Sequence, residues 1–333
     1  MRRVLIGLVV ASSSVLTACS FNIDAMIFNG VHCSAVGPEF CEDEEDYWDR
    51  VCKTCDEDYD WTIDYDWFEG SLEDGQTIRA IDPDTIENVR LETTDGLGEL
   101  DTYFIPAHGE RADLADTLIL HTHGNFRSIE HYQARLRFLH EYGANVIGWD
   151  YRGYGKSEPE TTPSAAQLME DAELLLEYAR EMADDPSKIV LYGHSIGAIS
   201  AVQQAVVAQD GDDVTPCALI LETPFTTTSE IAHSVSGVRM PGGFLSSGHF
   251  ANDVKLTRYT GPLFAMSAGN EDRFPSETVQ RLVDASGGPS DHWIEPDAYH
   301  GLVAGGIPEQ GVTAYFDELD GFFATLAPEC LTN

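Results

Sequence analysis

Lys188-Ile189-Val190-Leu191-Tyr192-Gly193-His194-Ser195-Ile196-Gly197-Ala198-Ile199-Ser200 is the stretch from which the rest of the chain can be read. An unbroken apolar run of strand length gives way to Gly193-His194-Ser195-Ile196-Gly197 and then to a helical pattern. Strand, G-x-S-x-G, helix is the setting of a nucleophile elbow, a turn that strains the serine backbone and exposes its hydroxyl. Gly193 and Gly197 leave the room that such a turn needs. The N–H of Ile196, at the start of the helix, is placed to hold an oxyanion.

Outward from this point, apolar strand patterns fall at residues 117–123, 145–150, 188–193, 218–222, 262–267 and 292–295, after a hairpin formed by 88–93 and 99–105 around Asp95-Gly96-Leu97-Gly98. Helical patterns at 129–142, 164–183, 196–209, 274–285 and 311–326 lie between or after them. Strands alternating with helices predict an α/β fold, a mostly parallel central sheet with helices on both faces. One connection, 223–261, is longer than the others and is expected to form a small cap insertion.

Serine is a weak nucleophile at neutral pH and needs a histidine base oriented by a carboxylate, here expected in the chain order Ser, acid, His. After the strand at 262–267 comes Gly269-Asn270-Glu271-Asp272-Arg273-Phe274-Pro275, which nominates Asp272 as the acid, with Glu271 its nearest competitor and Glu222 a more distant one. His300 follows the last strand and is the expected base, whereas His292 begins that strand and should lie at the wrong edge. A second oxyanion donor, the backbone N–H of Asn125, is expected in the loop after the strand at 117–123. His121-Thr122-His123 resembles half a zinc site, but the further Asp and His of the common hydrolytic zinc motif are missing, so neither a metal nor any other cofactor is expected.

Four segments in order, His123-Gly124-Asn125, Asp150-Tyr151-Arg152-Gly153-Tyr154-Gly155-Lys156-Ser157, Gly193 to Gly197, and Gly269 to Pro275, with His300 closing the set, resemble the α/β-hydrolase superfamily. The likeness is greatest to its branch of α/β-hydrolase-domain serine hydrolases that includes lysophospholipid lipases and depalmitoylating thioesterases. It covers about residues 88 to 326. It implies Ser195 as nucleophile, Asp272 as acid, His300 as base, Asn125 and Ile196 as oxyanion donors, and a structural turn in the second motif. That motif is no phosphate loop, because the first glycine such a loop requires falls at Asp150.

The ends of the chain read differently. Residues 1–18, basic at Arg2-Arg3, apolar from 4 to 11 and closing on Leu16-Thr17-Ala18 before Cys19, resemble the signal peptide of a bacterial lipoprotein, with Cys19 the lipidated residue. Ser20 implies the outer membrane, so the expected location is the cell envelope, exported and held by an N-terminal lipid anchor. Residues 19–75 form an acidic, cysteine-rich segment with interleaved aromatics, and residues 76–333 the hydrolase domain with the cap at about 223–261. Six cysteines remain beyond Cys19, an even number in a chain sent to an oxidising compartment, so disulfides are expected, Cys217–Cys330 among them.

Of the 333 residues, 19 are basic and 57 acidic, a formal net charge of −38 that repels phosphate backbones and excludes nucleic acid as a partner. The expected substrate is a small-molecule acyl ester of short to medium chain, with Phe225, Met240, Phe244, Leu245 and Phe250 of the cap lining its acyl pocket. A thioesterase or a serine peptidase of the same fold is the alternative within enzymes. A non-catalytic, lipid-anchored binding protein is the alternative outside them, though all three triad positions and both elbow glycines are present.

Overall fold

Among the described residues, eight strands form one sheet: β1 (Glu87–Glu92), β2 (Glu99–Ile105), β3 (Leu118–Thr122), β4 (Asn145–Trp149), β5 (Ile189–His194), β6 (Ala218–Glu222), β7 (Leu263–Ala268) and β8 (Ser290–Glu295). Their order across the sheet is β1-β2-β4-β3-β5-β6-β7-β8. The hairpin β1–β2 and the pair β2–β4 are antiparallel, and every other pairing is parallel. The structure is a computed structural model. It describes residues 27–28, 30–35, 55, 78–125, 127–211, 214–224, 226–228, 230–231, 251–271, 274–300, 307–326 and 330, with the side chains of 307–312 excepted.

A parallel strand buried on both faces shows side chains alternating between two cores. Leu118 and Leu120 of β3, with Ile189 and Leu191 of β5, pack on one side against Leu168, Leu175, Leu176 and Val202. Ile119, Val190, Tyr192, Ile220 and Phe264 point the other way, onto Leu136, Leu139, Tyr315, Leu319 and Phe322. The first layer is supplied by α2 (Ala165–Met182) and α3 (Ala198–Asp210), the second by α1 (Gln133–Tyr142) and α6 (Ile307–Phe323). Two shorter helices, α4 (Asn252–Leu256) and α5 (Ser276–Ala285), flank the β7–β8 end.

The sequence also dictates where these helices begin and end. α2 starts on a capping box in which the Ser164 hydroxyl accepts from the Gln167 N–H while Gln167 Oε1 reaches back to the Ser164 N–H, satisfying two otherwise orphaned donors. α1 stops at Gly143, whose φ of 113° lies in a region that side chains disfavour. Between β4 and α2, Arg152 is buried and makes a fork to Asp171 through Nε (2.8 Å) and Nη2 (2.6 Å), which ties the Asp150–Ser157 turn to α2.

Among the described residues two disulfides join distant positions, Cys33 to Cys55 and Cys217 to Cys330, the second with its Cα atoms 5.4 Å apart at the start of β6. Both are consistent with an exported protein. Cys19, with the whole of residues 1–26, lies outside the described residues, as do Cys41 and Cys52. Among the described residues no helix is long and apolar enough to cross a membrane.

Candidate active site

All the parallel strands run toward one edge of the sheet, and the loops that leave it there carry the site. β5 ends on His194, and Ser195 follows in a short 3-10 turn, Ser195–Gly197, that feeds directly into α3. The Ser195 φ is +53°, a left-handed conformation costing a non-glycine residue on the order of 1 kcal/mol. Its neighbours explain how the strain is held. A Cβ on Gly197 would stand 2.2 Å from the Thr122 carbonyl oxygen, and one on Gly193 would stand 2.8 Å from both the Ala201 Cβ and the Gly197 carbonyl. Only glycine lets the elbow sink this far onto β3 and α3.

Ser195 Oγ lies 2.8 Å from His300 Nε2, and His300 Nδ1 meets the carboxylate of Glu271. The two loops that bring these residues together are stitched by their backbones: Gly269 N–H donates to Glu295 O at 2.7 Å and Asn270 N–H to Ala298 O at 2.8 Å, with Asn270 Nδ2 on Asp297 O at 2.9 Å. The Glu271 side chain is 3% exposed and that of His300 31%, so the base is open to an incoming substrate while its orienting carboxylate is shielded. The Phe274 ring stands 5.5 Å from the imidazole and limits its swing.

Asp272, the acid nominated from the sequence, lies outside the described residues together with Arg273; the carboxylate on His300 belongs to its neighbour Glu271. Glu222 is engaged elsewhere. Its carboxylate takes a fork from Arg135, Nε at 3.0 Å and Nη2 at 2.9 Å, and a hydrogen bond from the Tyr192 hydroxyl at 2.8 Å. His292 sits within β8 opposite Ala265 and contacts Ser267 and Gln280. The proposed pocket residues Phe225, Met240, Phe244, Leu245 and Phe250 all lie outside the described residues.

The loop after β3 reaches the elbow from the other side. His123 Nδ1 donates to the Gly124 carbonyl at 2.7 Å, and in a trans peptide that points the following N–H, that of Asn125, the opposite way. The Tyr151 hydroxyl donates to the His123 carbonyl. His123 Nε2 approaches Asp150 Oδ1 at 3.1 Å, but this is not an ion pair. Burial pushes the imidazole down to about 3, so it is neutral, while burial and the neighbouring carboxylates of Glu130 and Asp101 push Asp150 well above the usual carboxylate range. His194, whose Nε2 lies 3.1 Å from Arg135 Nη2, and His121 are likewise held neutral, first by burial and then by the Arg135 charge. His121 and His123 are therefore core imidazoles. Among the described residues no cluster of His, Cys, Asp and Glu is arranged to hold a metal ion.

Comparison with known proteins bears on the family and the fold. The family described as Serine aminopeptidase, S33 matches residues 114–300. The uncharacterized protein YfhR of Escherichia coli O157:H7 is 30% identical over 226 residues, 67% of this chain and 76% of that one. The lysophosphatidylserine lipase ABHD12 of Danio rerio is 31% identical over 182 residues, 50% of this chain and 46% of its own. Among solved structures, the esterase Pf2001 of Pyrococcus furiosus superposes with a TM-score of 0.55 at 18% identity, over 79% of this chain and 96% of the esterase, a likeness of fold.

Proposed function

We propose that this chain, which belongs to the S33 serine aminopeptidase family of α/β-hydrolases, cleaves carboxylic esters through an acyl-enzyme on Ser195. The observation that carries the reading is the bridge made by His300, 2.8 Å from Ser195 Oγ on one side and hydrogen-bonded to a shielded carboxylate on the other. With its proton on Nδ1 and directed at Glu271, the imidazole presents a free Nε2 lone pair to the serine hydroxyl. It takes that proton as Oγ attacks the acyl carbonyl, and Glu271 stabilises the imidazolium that results. The N–H groups of Ile196 and Asn125 receive the oxyanion, His300 returns the proton to the leaving alcohol, and water repeats the sequence to free the acid.

Glu271 rather than Asp272 is the acid in this reading, on the strength of its contact with His300. The preferred substrates are esters of short to medium acyl chain, because an apolar pocket gains about 0.8 kcal/mol per buried methylene until it is full. The partial likeness to a lysophosphatidylserine lipase makes a monoacyl lipid the first natural ester to try. Residues 1–18 and Cys19 serve as signal and lipid anchor, residues 19–75 as a separate acidic segment, and residues 76–333 as the catalytic domain.

A kinetic series tests the assignment: p-nitrophenyl esters of increasing chain length, the matching acyl-thioesters, and a peptide amide, each with the Ser195→Ala protein as blank. A rise and then fall of kcat/KM with ester chain length is expected. Efficient cleavage of the peptide amide alone would shift the assignment to a peptidase, and of the thioesters alone to a thioesterase. For the anchor, Cys19→Ser is expected to leave the membrane fraction; retention there removes the lipoprotein reading.

A further inference from the structure

The described part of the N-terminal segment does not sit apart from the hydrolase domain. Residues 31–33 run beside Gly155 as a short parallel bridge, with Gly155 N–H donating to Val31 O at 3.0 Å and Cys33 N–H to Gly155 O at 2.7 Å. Ile27 and Phe28 are 1% and 2% exposed within the core that also contains Tyr151, Tyr154 and Ile196. Gly30 lies so close to Tyr154 that a Cβ there would stand 2.2 Å from the ring. Cys33 is tied to Cys55. The segment therefore reaches the loop that carries Asn125, and it reaches it with a hydrogen-bond acceptor.

Both ends of the Asn125 carboxamide are taken: Nδ2 donates to the Ile27 carbonyl, and Oδ1 accepts from the Tyr154 hydroxyl at 2.5 Å. A side chain held at both ends fixes its own backbone. We propose that the N-terminal segment is a working part of the active site, in which the Ile27 carbonyl and the Tyr154 hydroxyl clamp Asn125 and so aim its N–H at the oxyanion. The inference rests on the serine-hydrolase reading above. It makes Asn125, Tyr154 and Gly30 positioning residues, and it gives a catalytic reason for an N-terminal extension that the triad itself does not need. His123, through its hold on the Gly124 carbonyl, restrains the same peptide from the opposite side.

The physical stake is the direction of one N–H. An oxyanion donor contributes only when it meets the charge that develops in the transition state, and a shift on the order of 1 Å costs about 100-fold. Loosening the clamp should therefore lower kcat while leaving ground-state binding, and so KM, nearly as it was.

The test uses the full chain with three substitutions, each of which leaves the Asn125 N–H in place. Asn125→Ala removes both side-chain bonds. Tyr154→Phe removes one and keeps the ring, and Gly30→Val drives the segment off Tyr154 without altering the loop itself. Rates are expressed per Ser195 titrated by a fluorophosphonate, so that misfolded protein does not count. The expected result is a kcat lowered roughly tenfold or more in each variant with KM within about twofold, and a proportionate loss of affinity for a trifluoromethyl ketone, whose adduct needs the oxyanion hole. Wild-type kcat per labelled serine in Gly30→Val and Tyr154→Phe overturns the clamp and leaves the hydrolase reading standing, as does a drop in melting temperature with kcat unchanged. A wild-type protein that neither labels nor hydrolyses esters overturns both.

Discussion

The elbow at Ser195, after β5, and the acid loop at 269–275, after β7 and one strand further across the sheet, both meet His300, yet they are specified in opposite ways. At the elbow the backbone makes the demand: Ser195 takes a φ of +53°, and Cβ atoms at Gly193 and Gly197 would come to 2.8 and 2.2 Å from their neighbours. A residue pattern that satisfies such a demand is legible locally. In the acid loop the backbone asks only for a turn, and Glu271 and Asp272 are both carboxylates in it. Which of them meets His300 depends on the pairing of that loop with residues 295–298, a contact more than twenty positions away in the chain. Backbone constraint writes itself into sequence; a choice between chemically equal neighbours does not.

The largest effect that would break or sharpen this contrast is at the acid. Glu271→Gln leaves the shape of the contact and removes the charge that holds the Nδ1–H tautomer, so kcat for ester cleavage should fall about 10^3 to 10^4-fold, while Asp272→Asn stays within about threefold. Equal losses in the two variants would mean that the loop presents both carboxylates, and a reversal would return the role to Asp272. Steady-state kinetics on a single p-nitrophenyl ester is sufficient.

Next in size is Glu222, the third carboxylate at these strand ends. It is fully buried and forked to Arg135, so its role is to compensate a buried charge. Glu222→Gln strands the guanidinium and should cost about 3 kcal/mol of stability, seen as a lower urea midpoint, with ester turnover per labelled serine unchanged. A loss of turnover with stability intact would instead place Glu222 in the chemistry.

Much of the fold could be read before the structure. The strands appear where apolar runs or the hairpin turn placed them, the inner parallel ones because strands buried on both faces must be apolar along their length. The last strand begins at Ser290 rather than residue 292, since polar and half-exposed residues hide its start, and α4 was hidden in the 223–261 connection because five residues give no periodicity. The even cysteine count predicted bridges without fixing partners; the expected Cys217–Cys330 pair is formed, its Cα atoms 5.4 Å apart. The contact of Ile27 with Asn125 could not be found this way. It runs through a backbone carbonyl, which every residue has, across 98 positions of sequence.

The smallest effect concerns the floor of the elbow, and it is one of burial. His121 in β3 is fully buried, neither ring nitrogen has a hydrogen-bond partner among the described residues, and the Tyr192 ring lies 5.4 Å away. Burial, then the charge of Arg135, then His123, hold its pKa well below the ordinary 6.5. The folded state therefore refuses a proton that the unfolded chain accepts near that value. Its stability is complete above about pH 6.5 and declines as pH falls, with a slope of up to about 1.4 kcal/mol per pH unit for one proton. His121→Phe fills nearly the same space with no group to titrate. Urea midpoints from pH 7.5 down to 5 should show the variant level with or slightly above the wild type at the start, then increasingly more stable as the solution is acidified. A difference that stays constant with pH would mean that His121 is protonated or paired in the folded protein, and that the floor of the elbow is wetter than its packing implies.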